Sequence, residues 1–287
     1  MSSQLAIPLF KLLDRFEILY PDVSSIADLR RAYTDKDLSS LFRIVNDDNK
    51  ENLRKLIMED NTYKLWPLLD ECVETQFTKA FKSFFINEIE IDGDCFSRGQ
   101  LQSKQWLVEE LEKLDLKLGV VFLCAGWYAT LATMIFESNI KVDKVRSFDI
   151  DPSCVDIAEV FNKPWFVDQW RFKSITQDIM DIDYNEHTWQ YWSNANNRMS
   201  YPITDSPNTV INTSCEHIEN FEEWYDKIPT STLVVLQSNN YYEVEEHVNC
   251  VKDLKEFVAS APMDILYKGE LEIKLANYTR FMLIGYK

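Results

Sequence analysis

The chain has 287 residues, 46% hydrophobic and 13% aromatic, which excludes large-scale disorder and suits one large domain or a domain with a helical extension. Its 30 basic and 47 acidic residues leave a net charge of −17 with no compensating Lys/Arg cluster, so nucleic acid is not an expected partner. No stretch reaches the ~18–20 continuous apolar residues of a membrane span.

In chain order, the N-terminal apolar stretch is interrupted by Asp14, Arg15 and Glu17 and reads as an amphipathic helix rather than a signal peptide. Residues 5–85 keep helical apolar spacing throughout, with Leu9, Leu12, Leu13, Phe16 and Leu19 forming one stripe. Asp22 and Thr34 open helix-start signals, residues 47–50 break the chain, and a longer helix is expected over residues 63–85 with Pro67 in its first turn. Residues 1–90 are therefore expected to be a helical region, either a plain cap on a catalytic core or a substrate-selecting lid. Residues 86–91, INEIEI, alternate as a strand does before Asp92 and Gly93 turn the chain. Leu107, Val108, Leu111 and Leu114 then share a helical face, for which Ser103 is the expected cap.

From Gly119 the pattern changes. Short apolar runs at residues 120–125, 144–150, 172–176, 209–214 and 231–238 read as strands, each but the third followed by a helical segment, the last of these being VNCVKDLKEFV. Two further strands close the chain, in MDILYKGELEI and YTRFMLIGYK. This alternation predicts an α/β fold over residues 91–287, a parallel sheet with helices on both faces.

In such a sheet, ligands bind beyond the carboxyl ends of the strands. After the first strand come Cys124, Ala125, Gly126 and Trp127. Glycine is scarce, six in all, against ~7% of an ordinary chain. Gly126 therefore marks either a plain strand-to-helix turn or a close approach to a ligand. After the second strand come Asp149 and Ile150; Asp149 lies 23 residues after Gly126, near the ~20 at which a carboxylate meets the hydroxyls of a ribose. Asp151 caps the next helix on this reading, with Pro152 in its first turn. Asp178 and Ile179 follow the third strand, where an acid can bind an exocyclic amine and an aliphatic side chain can pack on an adenine ring. After the fourth come Asn212, Thr213, Ser214, Cys215, Glu216 and His217; His217 can act as a general base and Glu216 can orient it or bind substrate, or both can simply begin a helix. Cys215 reads as small packing rather than a nucleophile. Asn239, Asn240, Tyr241, Tyr242 and His247 follow the fifth strand and can line a substrate pocket.

The three histidines, His187, His217 and His247, are 30 residues apart with no HxxxH or HExxH spacing, so no metal site is expected. The six cysteines include no CxxC pair, which argues against disulfides and zinc and for a reducing, cytoplasmic compartment.

VVFLCAGWYATLA, SFDIDPSCVDIAE, QDI and INTSCEHI together resemble the four successive motifs of class I S-adenosylmethionine-dependent methyltransferases. The resemblance covers roughly residues 100–287. It implies a Rossmann-like three-layer sandwich with a mostly parallel seven-stranded sheet ending in an antiparallel strand pair. It also implies S-adenosyl-L-methionine as cofactor and a small-molecule or protein methyl acceptor. Residues Cys124, Ala125, Gly126 and Trp127 would then run beside the methionine part. Asp149, with Ile150 beside it, would hold the ribose, Asp178 and Ile179 the adenine, and Asn212 and Thr213 the edge near the sulfonium. The chain departs from the family in a single-glycine loop and in Phe122, which stands where the first strand usually carries an acid. The GWY turn preceded by SKQWLVEEL resembles a little-characterised group from bacterial viruses, which would place the protein in a host cytoplasm. Three alternatives remain: aminocarboxypropyl transfer from the same cofactor, a nicotinamide dehydrogenase with a poor glycine fingerprint, and a non-catalytic binding protein on a degenerate core.

Overall fold

The computed structural model describes residues 76–193, 196–273 and 277–287. The N-terminal stripe, the two helix-start signals, the break at 47–50 and the Pro67 helix start lie outside them. The described residues fall into two units, divided between Trp106 and Leu107.

In the first unit, α1 (Gln76–Ile86) buries Phe77, Ala80 and Phe84, which recur at helical spacing. Residues 87–92 are not the strand that INEIEI predicts. The end of α1 captures their amides instead: Asn87 N–H donates to Ser83 O and Ile89 N–H to Phe84 O. Glu88 between them sits at φ 54°, which breaks an extended run. Helix α2 (Arg98–Leu114) crosses the division and begins before the expected cap. Ser97 Oγ accepts from Gln100 N–H, whereas Ser103 lies inside the helix and donates back to Gln100 O.

The second unit is built on a seven-stranded sheet. Its strands are β1 (Lys117–Cys124), β2 (Lys141–Asp149), β3 (Phe172–Thr176), β8 (Thr209–Asn212), β9 (Leu233–Asn239), β10 (Asp264–Ile273) and β11 (Tyr278–Tyr286). Two short hairpins, absent from the sequence expectation, lie between β3 and β8: β4 (His187–Trp189) with β7 (Ile203–Asp205), and β5 (Trp192–Ser193) with β6 (Arg198–Met199). The sheet order is β3-β2-β1-β8-β9-β11-β10. Only β11 runs antiparallel to its neighbours, β9 and β10. This is a Rossmann-like α/β arrangement with the expected closing pair.

Helices α3 (Thr130–Glu137), α4 (Cys154–Phe161), α5 (Lys163–Val167), α6 (Phe221–Lys227) and α7 (Leu254–Ser260) accompany the sheet. α7 starts later than VNCVKDLKEFV suggests, because Asp253 caps it by accepting from Glu256 N–H at 2.8 Å. Residues 121–124 of β1 are buried without a break, as a strand covered on both faces requires. One core cluster joins Phe122, Cys124 and Phe148 to Phe221 and Trp224 of α6 and Phe257 of α7. The edge strand β10 carries Asp264, Lys268, Glu270 and Glu272, charges that discourage pairing with another chain.

Candidate functional site

The chain leaves β1 toward β2 and β3 on one side and returns with β8 on the other. That reversal makes the end of β1 and β8 the topological switch point, where open α/β sheets bind ligands; Cys124 and Asn212 are register partners there.

The loop after β1 is drawn tightly onto β2. Gly126 N–H donates to Phe148 O at 3.0 Å, and Trp127 N–H donates to Asp149 Oδ2 at 2.7 Å. A Cβ on Gly126 would lie 2.1 Å from Ser147 Oγ, so close approach, and not a left-handed φ, excludes a side chain there. The left-handed positions are its neighbours: Ala125, Trp127 and Ala129 have φ of 50°, 49° and 50°. Non-glycine residues cost roughly 1–2 kcal/mol in that region, so the loop keeps a glycine-type path with residues that oppose it. Trp127 and Tyr128 stack at 4.7 Å; Tyr128 is buried and Trp127 half-buried.

Asp149 is half-buried, and its second oxygen accepts from Asp151 N–H at 3.1 Å. A carboxylate offers about four lone-pair sites, so two bonds leave capacity for two more donors. Ile150 beside it is 70% exposed, an unusual place for a large aliphatic side chain. Asp151 makes an Asx turn to Ser153 N–H ahead of α4, with Pro152 between them.

Asp178 opens a short 3₁₀ turn and accepts from Met180 N–H at 2.9 Å. Ile179 is buried in the core cluster, and its carbonyl accepts from Tyr184 Oη. Tyr184 Oη also lies 3.4 Å from Cys124 Sγ, and burial pushes that thiol up to about 12. Phe122 packs on Phe148 at 5.1 Å, so this position of the first strand is apolar bulk.

Beyond β8, Asn212 Oδ1 accepts from Ser214 N–H, while its buried Nδ2 has no partner. Thr213 is half-buried, and its carbonyl accepts from Arg280 Nη1 at 3.0 Å. Residues Cys215–His217 form a single 3₁₀ turn. Cys215 is fully buried and burial raises its thiol pKa well above the ordinary value, which makes it packing and not a nucleophile. Glu216 is 1% exposed; its Oε1 accepts from Asn239 Nδ2 at 2.6 Å and pairs with Arg280 Nη1 at 3.2 Å. The Arg280 partner was missed from sequence, although a lone arginine at the head of the apolar run FMLI in a buried strand demands a carboxylate.

His217 and His247 stand edge-on with ring centroids 4.7 Å apart. Desolvation holds the His217 pKa below its usual value against the opposing pull of the Glu216 charge. Tyr241 stacks on Tyr278 at 5.0 Å, and Asn240 Oδ1 accepts from Thr279 N–H; Tyr242 is exposed. His187 belongs elsewhere, on β4 against Phe122 and Phe148.

No protein-family model matches the chain, and no curated protein matches its sequence. Among solved structures it is similar to geranyl diphosphate C-methyltransferase from Streptomyces coelicolor A3(2), at 7% identity over 63% of this chain and 75% of that one, with a TM-score of 0.45. It is similar to the (4+2)-cyclase SpnF at 11% identity over 66% and 82%, TM-score 0.47. It is also similar to MccD protein at 9% identity over 66% and 98%, TM-score 0.46. These are likenesses of fold. No helix among the described residues is long and apolar enough to cross a membrane.

Proposed function

We propose that the chain binds S-adenosyl-L-methionine across the ends of β1, β2 and β8 and transfers its methyl group to a small molecule or a protein group. The observation that carries this reading is Asp149. Its carboxylate sits at the tip of β2, is tied to the β1 loop through Trp127 N–H, and retains acceptor capacity matching the two hydroxyls of a ribose. The exposed Ile150 fits the face of an adenine ring. Asp178 keeps one carboxylate oxygen beyond its cap bond for an exocyclic amine, whereas Ile179 is committed to the core. The half-buried Trp127 can meet a sulfonium with its ring face, worth ~0.5–2 kcal/mol. Asn212 brings an unpartnered buried amide to the same end of the sheet.

The bound cofactor supplies an electrophilic methyl group on sulfur. The protein's part is to hold donor and acceptor in line and to exclude water. His217, exposed just past β8, is placed to take a proton from an acceptor, and Glu216 fixes the turn that carries it through Arg280 and Asn239.

Phe122 and the opposed loop favour one other reading, a non-catalytic protein on a degenerate core. Calorimetric titration with S-adenosyl-L-methionine and S-adenosyl-L-homocysteine separates the two. Wild type is expected to bind both, and Asp149→Ala to lose at least about tenfold in affinity, the equivalent of ~1.4 kcal/mol. Equal binding by the two proteins removes the ribose role. No binding by a folded wild type leaves the degenerate core. 5′-Methylthioadenosine as product, instead of S-adenosylhomocysteine, marks aminocarboxypropyl transfer.

A further inference from the structure

We propose that Glu216, His217 and His247 form a site for one divalent transition-metal ion of the zinc class at the carboxyl end of β8. Each side chain offers one ligand atom, and the three atoms lie within 4.8 Å of one another. Two imidazole nitrogens and a carboxylate oxygen suit zinc and its first-row neighbours, and three protein ligands leave a position open for an outside oxygen.

Independent features point to an ion. Glu216 is 1% exposed, and while Oε1 is held by Asn239 and Arg280, Oε2 is buried with no partner. A desolvated carboxylate oxygen without a donor is costly, and a cation removes that cost. His247 Nδ1 lies 2.6 Å from the Tyr241 carbonyl, so Nδ1 carries the proton and Nε2 the lone pair. Two of the three ligands are thus oriented from behind, His247 by the Tyr241 carbonyl and Glu216 by the Asn239 amide, as metal ligands are.

Among the described residues, Arg280 is the cation paired with Glu216. It pairs with Oε1 and donates to Thr213 O, and it makes no hydrogen bond to Oε2. Zinc–ligand bonds of ~2.0–2.2 Å require ligand atoms roughly 3–3.5 Å apart, so the side chains must draw together on binding. His247 lies on the irregular segment between β9 and α7, where such a shift disturbs no ladder or helix.

The site shares Glu216 and His217 with the methyl-transfer reading, but binding of the ion does not depend on that reading. If both hold, an acceptor oxygen at the open position would be acidified by the ion. His217, with its lone pair on the metal, would then be a ligand and not a base.

The test uses the full chain, stripped with chelator and titrated with Zn²⁺ and Co²⁺ in the absence of any nucleoside. One ion per chain is expected, with visible Co²⁺ absorption of a low-coordinate nitrogen–oxygen site. His217→Ala and His247→Ala should weaken Zn²⁺ by more than the ~10–100-fold that loss of an outer partner brings, and Asn239→Ala by an amount in that range. Removing Glu216 would strand Arg280, so the two histidine variants, checked for fold by circular dichroism, are the decisive ones. Absence of stoichiometric binding, or wild-type affinity in both histidine variants, overturns the site. S-adenosyl-L-homocysteine titration of the stripped chain reports separately on the cofactor: metal without nucleoside, or nucleoside without metal, sinks one reading and leaves the other.

Discussion

Gly126 faces Ser147 so closely that the two positions must be energetically coupled. A Cβ at 126 would sit 2.1 Å from Ser147 Oγ and 3.3 Å from Leu123 Cγ. Gly126→Ala should therefore cost about 1–3 kcal/mol, as overpacking does. Ser147 Oγ is itself buried without a partner, so Ser147→Ala should be neutral or stabilise slightly. The double variant should recover most of the loss, a coupling read from urea unfolding of the four proteins. Additive single effects would show that the close approach is not what excludes a side chain at 126. At this scale the sequence spoke unevenly. Scarcity singled out Gly126, and spacing singled out Asp149. The reason for Gly126 was invisible, because Ser147 meets it only once β2 is paired beside β1. The pairing of Glu216 with Arg280 was hidden for the same reason: 64 residues separate the partners, and no local pattern links them.

The hairpin of β4 and β7 is fastened to β2 by one charged cluster. Asp205 on β7 accepts from Arg146 Nε at 2.7 Å, Trp189 Nε1 at 3.0 Å and Lys144 Nζ at 3.2 Å. Its register partner His187 is buried, with Nε2 unpartnered. Burial alone would raise the Asp205 pKa, but the bonds from Trp189 and Arg146 outweigh it and the carboxyl sits below its usual value. Burial lowers the His187 pKa. Both folded values lie below their unfolded ones, so both groups stabilise the fold at neutral pH and withdraw that support on acidification. His187 begins to do so as pH falls below about 6.5, and Asp205 below about 3.9, each down to its folded value. Thermal midpoints should decline in two stages, and His187→Gln should shrink the upper one. A flat midpoint between pH 7 and 5 would contradict the burial of a neutral imidazole. Asp205→Asn should cost about 3–5 kcal/mol, because it strands the buried Arg146. Strands of two or three residues give no alternation long enough to read, so both hairpins escaped the sequence. INEIEI shows the converse, alternation with no partner strand.

The order of alternating strands and helices was legible along the chain, and so was the two-strand close. The reversal on either side of β1, which brings Cys124 beside Asn212, was not, since alternation fixes neither strand order nor neighbour. The whole molecule also carries its net charge of −17, and that charge acts on stability as well as on partners. Like charges crowd together on folding and oppose the compact state. Salt screens exposed charges, with a Debye length of ~30 Å at 0.01 M and ~3 Å at 1 M. The buried pairs Arg146–Asp205 and Arg280–Glu216 are screened far less, so salt removes repulsion without removing them. The exposed pairs Lys117–Asp143 and Lys141–Asp115 are each worth at most ~1 kcal/mol and lose little. Raising sodium chloride from ~0.01 to ~0.5 M should therefore raise the thermal midpoint by several degrees, the shift that ~1 kcal/mol brings in a domain of this size. A midpoint that falls with salt would mean that attractive surface pairs outweigh the repulsion, against the charge balance of the chain.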